Sequence, residues 1–272
     1  MTVFILDNIE MNTGLKDVNG AQWYITDTSG WFDAPDMRQT IIDRSLGHGS
    51  IVASSFMDKR RILLTGMCKV TGTEDNFWRS RDRLLAAVTT FSASKMLTVS
   101  EYGISKQMAY WGASGTQIGV SPGSFTFTIT LVCENPVKYS PITTYAAAMT
   151  SGTSANIFTY GGFASPAIYS VSNVTAGNSS MVLIQNSYGG STIGTIQVLS
   201  YVPASGETNL VIDVMNRTVQ GMNAAKGNVV NRYGSLSAAS LVWFDLQPSA
   251  NNTLSYTGVS QTMIPSYRDA WL

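Results

Sequence analysis

His48, Cys68 and Cys133 are the side chains best suited to metal binding or nucleophilic chemistry, and the chain holds no other histidine or cysteine among its 272 residues. A zinc site assembled from these three and a carboxylate would lack the close ligand pairs that structural zinc uses. His48 lies in Gly47-His48-Gly49, and catalysis there would need a nucleophile and an orienting carboxylate that no recognised elbow places nearby. A single imidazole fills one corner of an acid–base or metal site, so the sequence assigns His48 to a tight turn. The glycine-rich stretch Tyr188 to Gly194 has no following Lys-Ser/Thr and opens no amphipathic helix, so it is a hairpin turn and not a phosphate cradle. Beyond residue 140 the carboxylates are Glu207, Asp213, Asp245 and Asp269, two of them inside expected strands, which is poor material for a glycosidase pair. The expectation is therefore no enzyme, no cofactor and no metal. Aromatic side chains are the remaining candidates for recognition: Trp23, Tyr24, Trp31, Tyr110 and Trp111 early in the chain, Tyr188 and Tyr201 later, could stack on sugars or fill a protein interface.

Composition narrows the classes further. Seventeen Lys and Arg balance seventeen Asp and Glu, so nothing draws the chain to phosphate backbones or anionic membranes. Recognition of nucleic acid is excluded on that ground. The apolar run at Val3–Leu6 stops at Asp7 with no basic cluster before it, so no signal peptide is expected. No uncharged apolar stretch reaches the roughly 18 residues that cross a bilayer, and a soluble protein without a membrane partner follows. The sequons at Asn173, Asn178, Asn216 and Asn251 are attributed to composition, since no export signal accompanies them. Cys68 and Cys133 could bridge if their strands were neighbours, but inward alternation and retention in the producing cell favour reduced core thiols.

The length suggests two domains. Residues 1–140 carry 13 basic and 13 acidic side chains, whereas 141–272 carry 4 and 4. The stretch 141–156, uncharged and rich in Ala, Ser and Thr, is expected to be a linker between a domain at 1–140 and another at 157–272. In the first, period-two alternation predicts strands at Ser124–Cys133 and Arg61–Val70, the latter with Gly66 as a possible bulge. Between them Thr73 can cap a helix of about 16 residues that opens on Glu74 and Asp75 and sets Phe77, Leu84, Leu85, Val88 and Phe91 at helical spacing. Its polar face, with Arg79, Asp82 and Arg83, reads as solvated. In the second, strands are expected at Ala167–Val171, Ser180–Gln185, Thr195–Tyr201, Asn209–Asn216, Thr218–Met222, Leu241–Leu246 and Asn252–Thr257. Seven short strands without a long helix imply an antiparallel, jelly-roll or galectin-like sandwich.

Several landmarks together resemble siphovirus distal tail proteins. They are Gly20 to Trp23, Gly30-Trp31-Phe32-Asp33, Gly47-His48-Gly49, and the run from Asp58 to Gly66. After the helix, Phe125 to Tyr139 is similar to that family's closing strand with its acidic-or-amide-X-Pro-X-X-Tyr exit. Leu210 to Asp213, Trp243 to Pro248, Asn251 to Tyr256 and Tyr267 to Leu272 resemble the family's carboxyl-terminal half. Ser249-Ala250 departs from it, standing where the pattern usually turns on Pro-Gly.

The resemblance implies a mainly β protein: a tail-tube-like β-barrel or sandwich with one helix that forms a ring, followed by a galectin-like antiparallel β-sandwich. It further implies a virion component assembled in the host cytoplasm, a homo-hexameric hub joining tail tube protein to tail-associated spike or fibre proteins. A host-wall glycan partner for the second domain is the alternative. The long, aromatic, turn-rich loop from Thr28 to Ser50 is the candidate subunit contact, with Trp31, Phe32, Arg38, Arg44 and His48 as interface residues.

Overall fold

Alternation of apolar and polar side chains dominates the folded chain, as expected where sheets cover one another on a single face. The computed structural model describes residues 2–44, 48, 50–89, 93–174, 180–225, 227, 229–237, 240, 243–258 and 261–272. The chain divides into two compact units, Met1–Pro141 with Leu272 and Ile142–Trp271.

The first unit contains β1 (Val3–Leu6), β2 (Ile9–Met11), β3 (Ala21–Ser29), β4 (Met37–Asp43), β5 (Ser50–Met57), β6 (Arg60–Val70), α1 (Glu74–Val88), β7 (Lys95–Glu101), β8 (Ile104–Tyr110), β9 (Ala113–Ser121), β10 (Ser124–Cys133) and β11 (Lys138–Tyr139). One antiparallel sheet runs β2-β1-β7-β8-β11, a second β3-β6-β10-β9, and β4 pairs only with β5. The inward residues of both larger sheets and of α1 form one core, including Leu6, Leu97, Tyr110, Ile62, Leu64, Phe127, Ile129 and Leu84. None of the sheets closes into a barrel, so the architecture is a sandwich with one helix. Edge-to-face contacts of Phe125 with Trp23 at 5.7 Å and with Phe77 at 5.5 Å seat α1 on the core.

The helix starts where its cap demands. Thr73 is extended and its hydroxyl accepts from the Asn76 N–H, while Glu74 and Asp75 face the positive end of the dipole. Residues 90–92, and with them the expected apolar position Phe91, lie outside the described residues. On the polar face Arg79 pairs with Asp75 in solvent, but Arg83 reaches Asp17 at 2.9 Å. Asp17 also accepts from the N–H groups of Asn19, Ala21 and Trp23 Nε1, so this carboxylate fixes the entry to β3.

Gly66 is not itself a bulge. Its pairing with β10 is regular, and the irregularity falls on β3 between Ile25 and Asp27. A Cβ at Gly66 would lie 2.2 Å from the Tyr24 carbonyl oxygen and 2.5 Å from Phe127 Cζ. Gly66→Ala should therefore destabilise the first unit by about 1–3 kcal/mol through forced displacement of backbone and ring, measurable by urea unfolding; an unchanged midpoint would contradict this packing.

Cys68 and Cys133 are free and buried. Burial pushes each thiol from 9.0 up to about 12, with the Asp17 carboxylate adding to the rise at Cys68 and Arg60 opposing it at Cys133. Because the folded values exceed the unfolded ones, the contribution of the neutral thiols is intact below pH 9 and is lost as pH rises toward 12. Native protein at pH 8 should resist iodoacetamide, and both thiols should react once urea unfolds it. Rapid native alkylation at either position would contradict the burial.

The second unit contains β12 (Thr144–Tyr145), β13 (Met149–Thr150), β14 (Thr153–Phe158), β15 (Ala167–Ser172), β16 (Ser180–Tyr188), β17 (Ser191–Tyr201), β18 (Asn209–Asp213), β19 (Thr218–Met222), β20 (Val230–Asn231), β21 (Asn251–Gly258) and β22 (Thr262–Tyr267). One sheet runs β12-β22-β15-β18-β19-β20, with β13 also on β22, and the other β14-β21-β16-β17, all pairs antiparallel. Their inner faces meet in a core with Tyr169, Val171, Ile184, Ile196, Ile212, Leu254, Tyr256 and Met263, the arrangement of a β-sandwich.

Three local expectations need correction. Much of the stretch 141–156 is not a free linker: β12, β13 and most of β14 lie within it, paired to β22 and β21, so backbone hydrogen bonds override its featureless composition. Residues 243–245 form no strand; Phe244 and Leu246 are buried, and Leu246 makes a single bridge to Ser165. Residues 241–242 lie outside the described residues. Finally, β22 is not among the expected strands, and it holds Pro265 within it. The Pro265 carbonyl accepts from the Ala146 N–H, and the missing donor faces the same way, into the break between β12 and β13. At the departure from the Pro-Gly pattern, Ser249 takes φ +49° and keeps a left-handed turn, with its N–H and hydroxyl both donating to the Gly161 carbonyl.

Candidate assembly surface

The segment after β3 leaves the first unit's core through an anchored base. Gly30 turns with φ +82°, and a Cβ there would lie 1.9 Å from the Arg61 carbonyl oxygen, so only glycine lets the two backbones approach. Arg60, 3% exposed, donates through Nη1 to the carbonyls of Gly30, Trp31 and Asp33 at 3.1, 3.2 and 3.0 Å. Asp33 Oδ2 accepts from the Gly30 N–H at 2.7 Å. Burial lowers the Arg60 pKa, opposed by Cys133 and Asp33, yet a guanidinium remains charged at any ordinary pH. Trp31 is fully buried; its Nε1 donates to Glu101 Oε1 at 2.8 Å, and Lys138 Nζ sits 5.2 Å from its ring centre. Burial, aided by Arg60 and Lys106, lowers Lys138 to about 8. At the far side the Asp58 N–H donates to the Asp36 carbonyl at 2.7 Å and closes the base.

Beyond that base the expected loop is an antiparallel ribbon. Met37 faces Met57, Arg38 faces Phe56, Ile41 faces Val52 and Ile42 faces Ile51, with a register shift after Thr40. Met37, Ile41, Ile42, Ile51, Val52 and Phe56 are each between 52% and 59% exposed. Neither strand joins another sheet, and a lone two-stranded ribbon is marginal in water. Six large apolar side chains thus stand exposed on a ribbon whose outer edges are unpaired among the described residues, the kind of patch that soluble monomers seldom leave bare. A second unpaired edge is β9, where Val120 is 56% exposed.

The five candidate interface residues separate. Phe32, Arg38, Arg44 and His48 are exposed, Phe32 at the base, Arg38 on β4, and Arg44 and His48 beyond the end of β4. Trp31 differs from the other four: its ring is fully buried in the first unit's core. Residues 45–47 and 49 lie outside the described residues. The apolar ribbon residues escaped the sequence reading, although the β-branched pairs Ile41-Ile42 and Ile51-Val52 were its signal. Among the described residues no group of three or more His, Cys, Asp or Glu could hold a metal ion, and no helix is long and apolar enough to cross a membrane.

With this geometry in view, the fold is that of phage tail hub and baseplate structures. The crystal structure of SPP1 Dit, described as a paradigm of the hub adsorption apparatus in phages infecting Gram-positive bacteria, matches over 100% of both chains with TM-score 0.67 and 15% identity. A chain of the phage P2 baseplate in its activated conformation with calcium matches over 98% of this chain and 97% of its own, with TM-score 0.53 and 8% identity. The strontium form gives TM-score 0.52 at the same identity and coverage. No family model and no curated protein sequence matches the chain.

Proposed function

We propose that the chain is a structural hub at the distal tip of a siphophage tail, six copies of which close a ring around a channel. The ring joins the tail tube to spike or fibre proteins, and its work is architectural, with no reaction required of it. The observation that carries this reading is the β4–β5 ribbon: an anchored, apolar arm that among the described residues of its own unit joins no other sheet and stays exposed, on a chain whose full length takes a phage hub fold. A closed ring needs two unlike patches per subunit, and the ribbon and the β9 edge supply them. Trp31 and Arg60 set the direction of the arm, while Phe32, Arg38, Arg44 and His48 lie on the surface that a neighbour meets. The virion is accordingly its location, reached by assembly in the host cytoplasm.

Light scattering on the purified full chain tests this directly. Six copies of a 29.3 kDa chain should give one species of about 176 kDa, seen as a ring with a central hole in negative stain. A species of 29.3 kDa persisting at high concentration would overturn the proposal.

A further inference from the structure

The first unit carries a second exposed apolar feature besides the ribbon, a groove of about 460 Å³ between the first turn of α1 and the turn from β9 to β10. That volume falls within the ~300–1,000 Å³ of ligand pockets, so more than one side chain can enter it. Phe77 and Val70, both buried, form its floor, and Trp78, Val120 and Pro122 form its rim. Val120 stands opposite Phe125, on the core side of its sheet, yet remains exposed because among the described residues no strand lies beyond β9. Phe77 meets Phe125 and Trp78 edge to face, at 5.5 and 5.1 Å, so the groove opens onto the core and its aromatic wall is held in place.

Charge distinguishes the two surfaces. Glu74 lines the groove, and its Oε1 accepts from Trp78 Nε1 at 3.3 Å. The other charges nearby on α1 cancel in pairs, Asp75 with Arg79 and Asp82 with Arg81, whose guanidinium lies 4.7 Å from the Trp78 ring centre. Among the described residues the rim is therefore left with one negative charge in excess. The arm offers the converse. Arg38 faces Phe56 across the ribbon, and side chains of such partners project from the same flat. Ile42 and Ile51 share that flat, whereas Asp43 lies with Ile41 on the other one. Within β4 and β5, one flat is thus three large apolar side chains beside a single cation.

We propose that this flat of the arm docks in the α1–β9 groove of a second copy, with Phe56 and the Ile42–Ile51 pair against Trp78, Val120 and Pro122, and Arg38 beside Glu74. The proposal rests on the hub reading and names the socket that a neighbour's arm fills. The ribbon's apolar side chains stand exposed within their own chain, so its own groove does not receive them. A projecting apolar flat and a recessed apolar groove are an unlike pair, which a closed ring repeats once per copy. Docking takes Phe56 and Val120 out of water together. The Arg38–Glu74 pair sets which flat enters, since the opposite one would bring Asp43 toward Glu74.

Light scattering of the full chain over a concentration series decides it. Val120→Lys should raise the concentration at which copies associate at least about tenfold. Arg38→Glu and Glu74→Lys should each raise it about three- to tenfold, and the two combined should return it to within about threefold of the unaltered chain. Far-UV circular dichroism checks that each variant is folded; if Val120→Lys is not, Trp78→Gln carries the result. Rings that form as readily with Val120→Lys as without it would overturn the inference and leave the hub standing. So would a folded double variant that assembles no better than Arg38→Glu or Glu74→Lys alone. A smaller oligomer that Val120→Lys dissociates and the charge exchange restores would overturn the hub and leave the docking in place. A chain that stays at 29.3 kDa at every concentration would overturn both.

Discussion

Ile42→Lys combined with Ile51→Lys should leave the chain folded and abolish the ring. The two side chains face each other across the ribbon, 55% and 53% exposed, so in the isolated subunit the replacement alters stability by no more than about 0.5 kcal/mol. In the assembly the same positions would be covered. Full burial of an isoleucine contributes about 1.5–3 kcal/mol, and roughly half of that remains to be gained at each. Two lysines forfeit it and add the cost of desolvating charge, so association at each interface should weaken at least about a hundredfold. Light scattering should then report 29.3 kDa for the variant under conditions in which the unaltered chain forms rings. A variant that still assembles would remove the ribbon from the interface.

Trp31→Ala and Phe32→Ala should behave oppositely, although the residues are neighbours. Trp31 is fully buried, and its removal opens a cavity and strips Glu101 of a donor, a loss of about 3–5 kcal/mol. Phe32 is 58% exposed, and its truncation should cost the folded subunit no more than about 0.5 kcal/mol. Urea unfolding of the two variants measures the contrast. With Trp31 gone, the carbonyls that Arg60 gathers lose their template, so the ribbon's base should loosen and amide exchange around residues 30–36 should accelerate. Equal destabilisation by both substitutions would show that the base is not built around the tryptophan.

The same pair shows where the sequence was legible and where it was not. Ser124–Cys133 could be read to the residue because five apolar side chains alternate with Ser124, three threonines and Val132 over ten positions, a pattern that fits a strand. The helix start was equally clear, since Thr73, Glu74 and Asp75 meet the requirements of its amino-terminal end. Trp31 and Phe32 offer no such signal: two adjacent aromatics in a turn, one of which must point inward, with the choice made by a buried arginine 29 residues away in the sequence. The ribbon was hidden for a related reason. Apolar side chains occur on both of its faces, so neither period two nor period 3.6 stands out, and a strand without alternation is indistinguishable from an irregular loop. Pro265 lies inside β22, where a strand is not read from sequence, and Phe244 with Leu246 imitated a strand that residues 243–245 do not form.

The shift after Thr40 makes Ala53 the extra residue in β5 and brings Val52 to the side of Ile41 and Ile51 to the side of Ile42. One flat of the arm therefore carries Met37, Ile41, Val52 and Met57, and the opposite flat carries Ile42, Ile51 and Phe56. In the proposed ring, a blade greasy on both flats would be slid into a slot between two bodies, since laid upon a single wall it would keep one side wet. Each copy would then clasp more than one companion at once, and pulling out a single member would loosen the grip on both sides of the gap.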